Sequence, residues 1–231
     1  MKSPNTKDSF KNELPSGFST EKDTYVFGNV INLSEKQNLA KNNNIYPQGK
    51  KILNCLISES HDKDKVLEKI NDYTLNLDIS SRIKSLIDLS SDEIIMNAFF
   101  NAPMMGGKFM YKNIDRKQNV FSPKPVSVSL IDQTDELVLC VKDSYGSLNV
   151  EQLISKINNN LKSEEYMFPS EGSGAGIGLS FLVLKNISLI IRVIPNVSSE
   201  FILFFPKKSI YKDFSKNGKI IAINNFSKNE A

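Results

Sequence analysis

The spacing of hydrophobic positions predicts helices in the first half of the chain. Apolar residues recur at helical intervals over residues 65–75, and the same period continues over residues 79–87. Residues 90–93 (Ser-Ser-Asp-Glu) offer N-cap chemistry, which predicts that a new helix begins there. We expect this helix to end at Asn101, because a proline and a Gly-Gly pair follow.

The second half of the chain reads mainly as strands. Residues 126–131 alternate between polar and apolar, residues 137–141 are almost continuously apolar, and residues 133–136 form a plausible hairpin turn between them. Two further helices and two closing strands are predicted at residues 150–161, 179–184, 189–194 and 201–205. This order favours an α+β two-layer sandwich, with a mixed, mostly antiparallel sheet and helices on one face.

The two ends of the chain differ from its middle. Residues 1–50 are rich in polar side chains and predict a partly ordered N-terminal extension, with a strand-like run at 25–33 and a helix plus loop at 34–51. The extension could add a strand to the sheet or mediate dimerisation. We expect the main domain to span 51–206 and a basic C-terminal tail to span 207–231.

Composition narrows the class of protein. The chain has 231 residues, of which 40% are hydrophobic and 24% charged, as in ordinary globular proteins. A net charge of +3 is too small to imply nucleic acid as a partner. No apolar run approaches a membrane-spanning length, the N-terminus does not read as a secretory signal, and Cys55 and Cys140 form no metal or disulfide pattern. A cytoplasmic protein without a membrane partner is expected.

The glycines are concentrated in one place. Four of the eleven, Gly172, Gly174, Gly176 and Gly178, fall within seven residues and lead through Leu179 into a predicted helix. Such a loop suits close approach of an anion to backbone N–H groups at a helix N-terminus. The spacing matches neither the dinucleotide-binding fingerprint nor the P-loop, which requires a lysine that this segment lacks.

Two polar clusters precede this loop. Glu93 and Asn97 are four residues apart on a predicted helix and therefore share one face. Asp143 follows a buried strand and opens the sequence Asp-Ser-Tyr-Gly, which contains Tyr145 and Gly146. Together, and in this order, the three clusters resemble the N box and the two glycine boxes of the GHKL ATPase superfamily, which includes gyrase and the histidine kinases. The resemblance covers roughly residues 60–206.

The resemblance implies a Bergerat-type ATP-binding fold and a set of roles. Asn97 would bind Mg²⁺ through its amide oxygen, and Glu93 would act as general base. Asp143 would accept a hydrogen bond from the adenine amino group, and the second glycine box would let a lid close over the triphosphate. Tyr145 stands where the family carries its first glycine, so its ring would either stack on adenine or obstruct it.

The length of the chain favours one branch of the superfamily. Only 25 residues follow Pro206, too few for the transducer domain of the gyrase branch, and His61 lacks the surroundings of a phosphoacceptor, so we expect it on the surface. The compact domain organisation resembles that of anti-sigma-factor serine kinases and stand-alone bacterial histidine-kinase-like ATPases. Two hypotheses follow. In one, the protein transfers phosphate from ATP to a serine or threonine of a regulatory partner, such as a sigma factor, its antagonist or a response regulator. In the other, it is a non-catalytic nucleotide-binding module that acts by binding that partner. A homodimer is compatible with both.

Overall fold

An eight-stranded sheet forms the centre of the fold. The computed structural model describes residues 19–21, 24–27, 39, 45–111, 113–155, 187–207 and 221–225. The strands of the large sheet are β1 (Ser19–Glu21), β2 (Thr24–Phe27), β3 (Lys50–Glu59), β6 (Phe121–Asp132), β7 (Glu136–Asp143), β8 (Ser188–Ile194), β9 (Ser198–Pro206) and β10 (Ile221–Asn225). The short strands β4 (Met104–Met105) and β5 (Lys108–Phe109) pair separately as a small hairpin.

The topology confirms a mixed, mostly antiparallel sheet. Its strand order is β1-β2-β10-β8-β9-β7-β6-β3, and every neighbouring pair is antiparallel except β8 and β10. The expected turn between β6 and β7 is present, where the Gln133 backbone N–H donates to the Glu136 carbonyl at 3.0 Å. The four strands expected in the second half of the chain are all confirmed, although β6, β7 and β9 are longer than expected.

Two helices cover one face of the sheet, as expected. Helix α1 spans Asp62–Leu75 and helix α2 spans Ser81–Phe100. Their buried apolar side chains join those of β3, β6, β7, β8 and β9 in one large core. A third helical segment is described over residues 150–155 and adds Val150, Leu153 and Ile154 to the same core.

The expectation that a new helix begins at residues 90–93 is wrong. Helix α2 runs without interruption from Ser81, and Ser80 is its N-cap, accepting a hydrogen bond from the Ile83 backbone N–H at 3.3 Å. Ser90 and Ser91 are fully buried in the middle of the helix. The apolar period on both sides of these serines therefore belongs to one helix.

The opposite face of the sheet is also covered. Alternate residues of β7, β8 and β9, such as Val138, Ile190 and Phe204, form a second, smaller core with Leu39. On the same face, the buried Arg192 is paired with Glu200 at 3.1 Å and donates to the carbonyl oxygens of residues 39 and 45.

The segments expected to be an extension and a tail contribute strands to the same sheet. β1 and β2 lie within residues 1–50, and β10 lies within residues 207–231. β10 pairs with β2 on one side and with β8 on the other. Of the two roles considered for the extension, added strands are therefore observed.

Candidate functional site

A cavity opens where the C-terminal half of α2 meets the ends of β7 and β9. It has a volume of about 180 Å³. Asn97 lines it from α2, Asn101 from the C-cap of that helix, Asp143 from the end of β7, and Ser199 and Phe201 from β9. Helix α2 packs against β6, β7 and β9, which brings Asn97 and Asp143 together although they are distant in the sequence. One residue from each of the two polar clusters, Asn97 and Asp143, therefore lines the same cavity.

Asp143 is held by the turn that follows it. Its Oδ1 accepts hydrogen bonds from the backbone N–H groups of Tyr145 at 2.8 Å, Gly146 at 3.1 Å and Ser199 at 3.4 Å. The side chain is 3% exposed, and burial raises the pKa of this carboxyl, with the backbone donors acting in the opposite direction. A buried acceptor at the cavity wall is suited to a ligand that donates a hydrogen bond.

Gly146 is required by the turn. Its φ is +60°, and a Cβ atom at this position would lie 2.1 Å from the Ile194 carbonyl oxygen. Its own carbonyl accepts a hydrogen bond from the Asn196 backbone N–H at 3.0 Å, which ties the turn to the connection between β8 and β9. Both the backbone angle and the close contact exclude a side chain here.

Tyr145 points away from the cavity. Its hydroxyl lies 3.0 Å from Ser122 Oγ and accepts from the Lys124 backbone N–H at 3.2 Å, and Lys124 Nζ lies 5.1 Å from the ring centroid. Neither Tyr145 nor Gly146 lines the cavity. In this arrangement the ring fixes the start of β6 to the turn after Asp143 and neither stacks in the cavity nor blocks it.

Glu93 and Asn97 form a hydrogen-bonded pair, as their spacing predicts. Asn97 Nδ2 donates to Glu93 Oε1 at 2.9 Å, and Asn101 Nδ2 donates to Asn97 Oδ1 at 2.5 Å. Asn97 is 8% exposed, whereas the side chain of Glu93 is 24% exposed. Glu93 itself does not line the cavity and reaches it only through Asn97.

Arg116 completes this network and was not anticipated from the sequence. Its Nη1 lies 3.3 Å from Glu93 Oε2, and its Nη2 donates to Asn97 Oδ1 at 3.1 Å. Both Glu93 oxygens therefore accept one donor each. The only signal in the sequence was that the chain has just three arginines, which does not identify a site.

The present arrangement does not fit a magnesium ion at Asn97. An amide oxygen has two acceptor lone pairs, and here Asn101 and Arg116 take both. The oxygen is of the type that Mg²⁺ prefers, but a guanidinium already bound to it repels a second cation. Within the described residues, no group of three or more His, Cys, Asp or Glu side chains could hold a metal ion.

The remaining expectations have different outcomes. Gly172, Gly174, Gly176, Gly178 and Leu179 lie outside the described residues. His61 is exposed, as expected, and both cysteines are free. None of the helices in the described ranges is long and apolar enough to cross a membrane.

Comparison with known proteins does not add to the site. No protein-family model matches the chain, and no curated protein matches it. A functional assignment therefore depends on the residues around the cavity.

Proposed function

We propose that the protein binds ATP in the cavity between Asn97 and Asp143 and regulates a partner protein in a bacterial, cytoplasmic signalling pathway. The observation that supports this proposal is the convergence of these two side chains, from separate sequence clusters, on one cavity. In the proposed complex, Asp143 accepts a hydrogen bond from the adenine amino group. Asn97 and Asn101, at the other side of the cavity, face the phosphates.

Two forms of the proposal differ in chemistry. In the first, the protein is a kinase that transfers the γ-phosphoryl group to a serine or threonine of the partner, with Glu93 as general base. In the second, nucleotide binding alone changes its affinity for the partner. The position of Glu93 favours the second form, because its side chain does not line the cavity and is hydrogen-bonded to Asn97 and Arg116 instead.

Calorimetric titration of the full chain tests the shared part of the proposal. We expect ATP and adenosine both to bind, and we expect Asp143→Asn to abolish both, because the variant replaces a buried acceptor by a group that also donates. Asp72→Asn, on the exposed side of α1, is the matched control and should bind like wild type. If adenosine and ATP both fail to bind wild type, the proposal is wrong.

A turnover assay separates the two forms. A kinase or ATPase would release ADP slowly from bound ATP, and Glu93→Ala would lose this release while still binding ATP. A binding module would return ATP unchanged. If wild type produces ADP and Glu93→Ala does not, the result supports the kinase form over the binding module.

A further inference from the structure

Arg116 is a permanent positive charge next to Asn97, a residue of the candidate cavity lining. Its guanidinium bridges Glu93 Oε2 at 3.3 Å and Asn97 Oδ1 at 3.1 Å. Because Asn97 lines the cavity, Arg116 lies one hydrogen bond away from the lining. The network also determines the orientation of the Asn97 amide, whose nitrogen faces the carboxylate and whose oxygen faces the guanidinium.

The loop that carries Arg116 is anchored independently of the network. Asp115 accepts the Lys117 backbone N–H through Oδ1 at 2.9 Å and the Gln118 backbone N–H through its carbonyl at 2.9 Å. Asn119 Oδ1 then accepts from the His61 backbone N–H at 3.1 Å, which docks the loop on the turn between β3 and α1. The backbone on both sides of Arg116 is therefore held by contacts that do not involve Glu93.

A guanidinium and a metal ion cannot share Asn97 Oδ1. Mg²⁺ binds oxygen at about 2.0–2.1 Å, so an ion on this oxygen would stand directly beside the guanidinium nitrogen that now occupies it. The two cations would repel each other at this separation. The guanidinium is permanently charged, and its planar fork matches the geometry of phosphate oxygens.

We propose that Arg116 takes the place of a metal ion at this site and binds the phosphates of the nucleotide. The proposal rests on the proposed function, in which the ligand is ATP. In this complex Asp143 binds the adenine base and Arg116 binds the phosphates. Binding of ATP is consequently independent of magnesium.

The experiment compares ATP with adenosine on the full chain, each with excess MgCl₂ and with EDTA. For wild type we expect ATP affinities within about threefold in the two conditions, which is about 0.65 kcal/mol. Arg116→Gln should weaken ATP binding in EDTA by at least about tenfold, which is about 1.4 kcal/mol, and leave adenosine binding unchanged. Arg116→Lys keeps the charge without the planar guanidinium, so its ATP affinity in EDTA should lie between those of wild type and Arg116→Gln.

One further result is specific to this proposal. Arg116→Gln removes the guanidinium from Asn97 Oδ1 and should make ATP binding depend on magnesium, because the metal can then supply the missing charge. Arg82→Gln, an exposed arginine in the first turn of the same helix as Asn97, is the matched control and should behave as wild type. Circular dichroism and thermal unfolding of each variant establish that it is folded.

The possible failures are distinguishable. If wild type requires magnesium for ATP binding, or if Arg116→Gln binds ATP in EDTA as well as wild type does, Arg116 does not bind the phosphates, while adenosine binding still supports the proposed function. If neither ATP nor adenosine binds wild type, both the proposed function and the role of Arg116 are wrong.

Discussion

The buried ion pair between Arg192 and Glu200 offers the sharpest test of what holds the second face of the sheet. The two side chains are 1% and 5% exposed, and Arg192 Nη1 lies 3.1 Å from Glu200 Oε2. Arg192 also donates to the Leu39 carbonyl at 3.0 Å through Nε and to the Ile45 carbonyl at 2.7 Å through Nη2. One guanidinium thus connects two neighbouring strands to the backbone of residues 39 and 45.

Replacing Arg192 by methionine keeps most of the volume and removes every one of these donors. Glu200 stays buried without its partner, and removing one member of a buried ion pair destabilises a protein by about 3–5 kcal/mol. We expect the free energy of unfolding to fall by about 4 kcal/mol, with the unbonded carbonyls contributing to that loss. With an m value of about 2.5 kcal/mol per M of urea, the midpoint shifts by about 1.6 M.

Urea unfolding followed by circular dichroism measures this shift, with Arg82→Met as an exposed control that should stay within about 0.5 kcal/mol of wild type. The double variant Arg192→Met, Glu200→Met no longer has an unpaired buried carboxylate. We expect it to recover about half of the lost stability, because apolar residues often replace a buried ion pair without loss of stability. A loss below about 1 kcal/mol in Arg192→Met would refute this account.

Three other predictions concern single residues. Gly146→Ala should lower stability by at least about 2 kcal/mol more than Gly106→Ala in thermal unfolding, because both have φ near +60° but only Gly146 is crowded by backbone. Equal losses would contradict this. Since the pKa of Asp143 is raised in the folded protein, wild type should gain stability relative to Asp143→Asn as the pH falls from about 7 towards 4. If the urea midpoints of the two proteins change in parallel with pH, this prediction is wrong. Burial and the hydrogen bond to Asp132 raise the pKa of Tyr73 to about 12, so stability should fall as the pH rises from about 10 towards 12. Tyr73→Phe should make this fall smaller, because Cys140 and Tyr111 also have raised pKa values, and absorbance titration should show the late ionisation of Tyr73.

The elements with a clear hydrophobic period were predictable, and those determined by tertiary contacts were not. The alternation in β6 and the apolar run in β7 define a hairpin, because side-chain period and turn residues agree locally. Ser90 and Ser91 show the opposite case. Their preference for helix starts is a local property, and burial of this part of the helix in the core overrides it.

The same distinction applies to the site. The pairing of Glu93 with Asn97 follows from helical spacing, so it was visible in the sequence. The contact of Arg116 with both residues depends on how a loop docks against the turn before α1, which no local pattern encodes. The orientation of Tyr145 likewise depends on Ser122 and Lys124, which lie on a different strand.

The position of β10 also has a consequence for biosynthesis. β2 is hydrogen-bonded to β1 and β10, and among the described strands β10 is the one that connects these two early strands to the rest of the sheet. Residues 221–225 leave the ribosome after all the other described strands. The edge of the sheet that begins near residue 19 can therefore dock only after residues 221–225 have been translated. Such long-range pairing slows folding, and the apolar strand β8 stays without its neighbour in the interval, open to chaperones or to incorrect pairing.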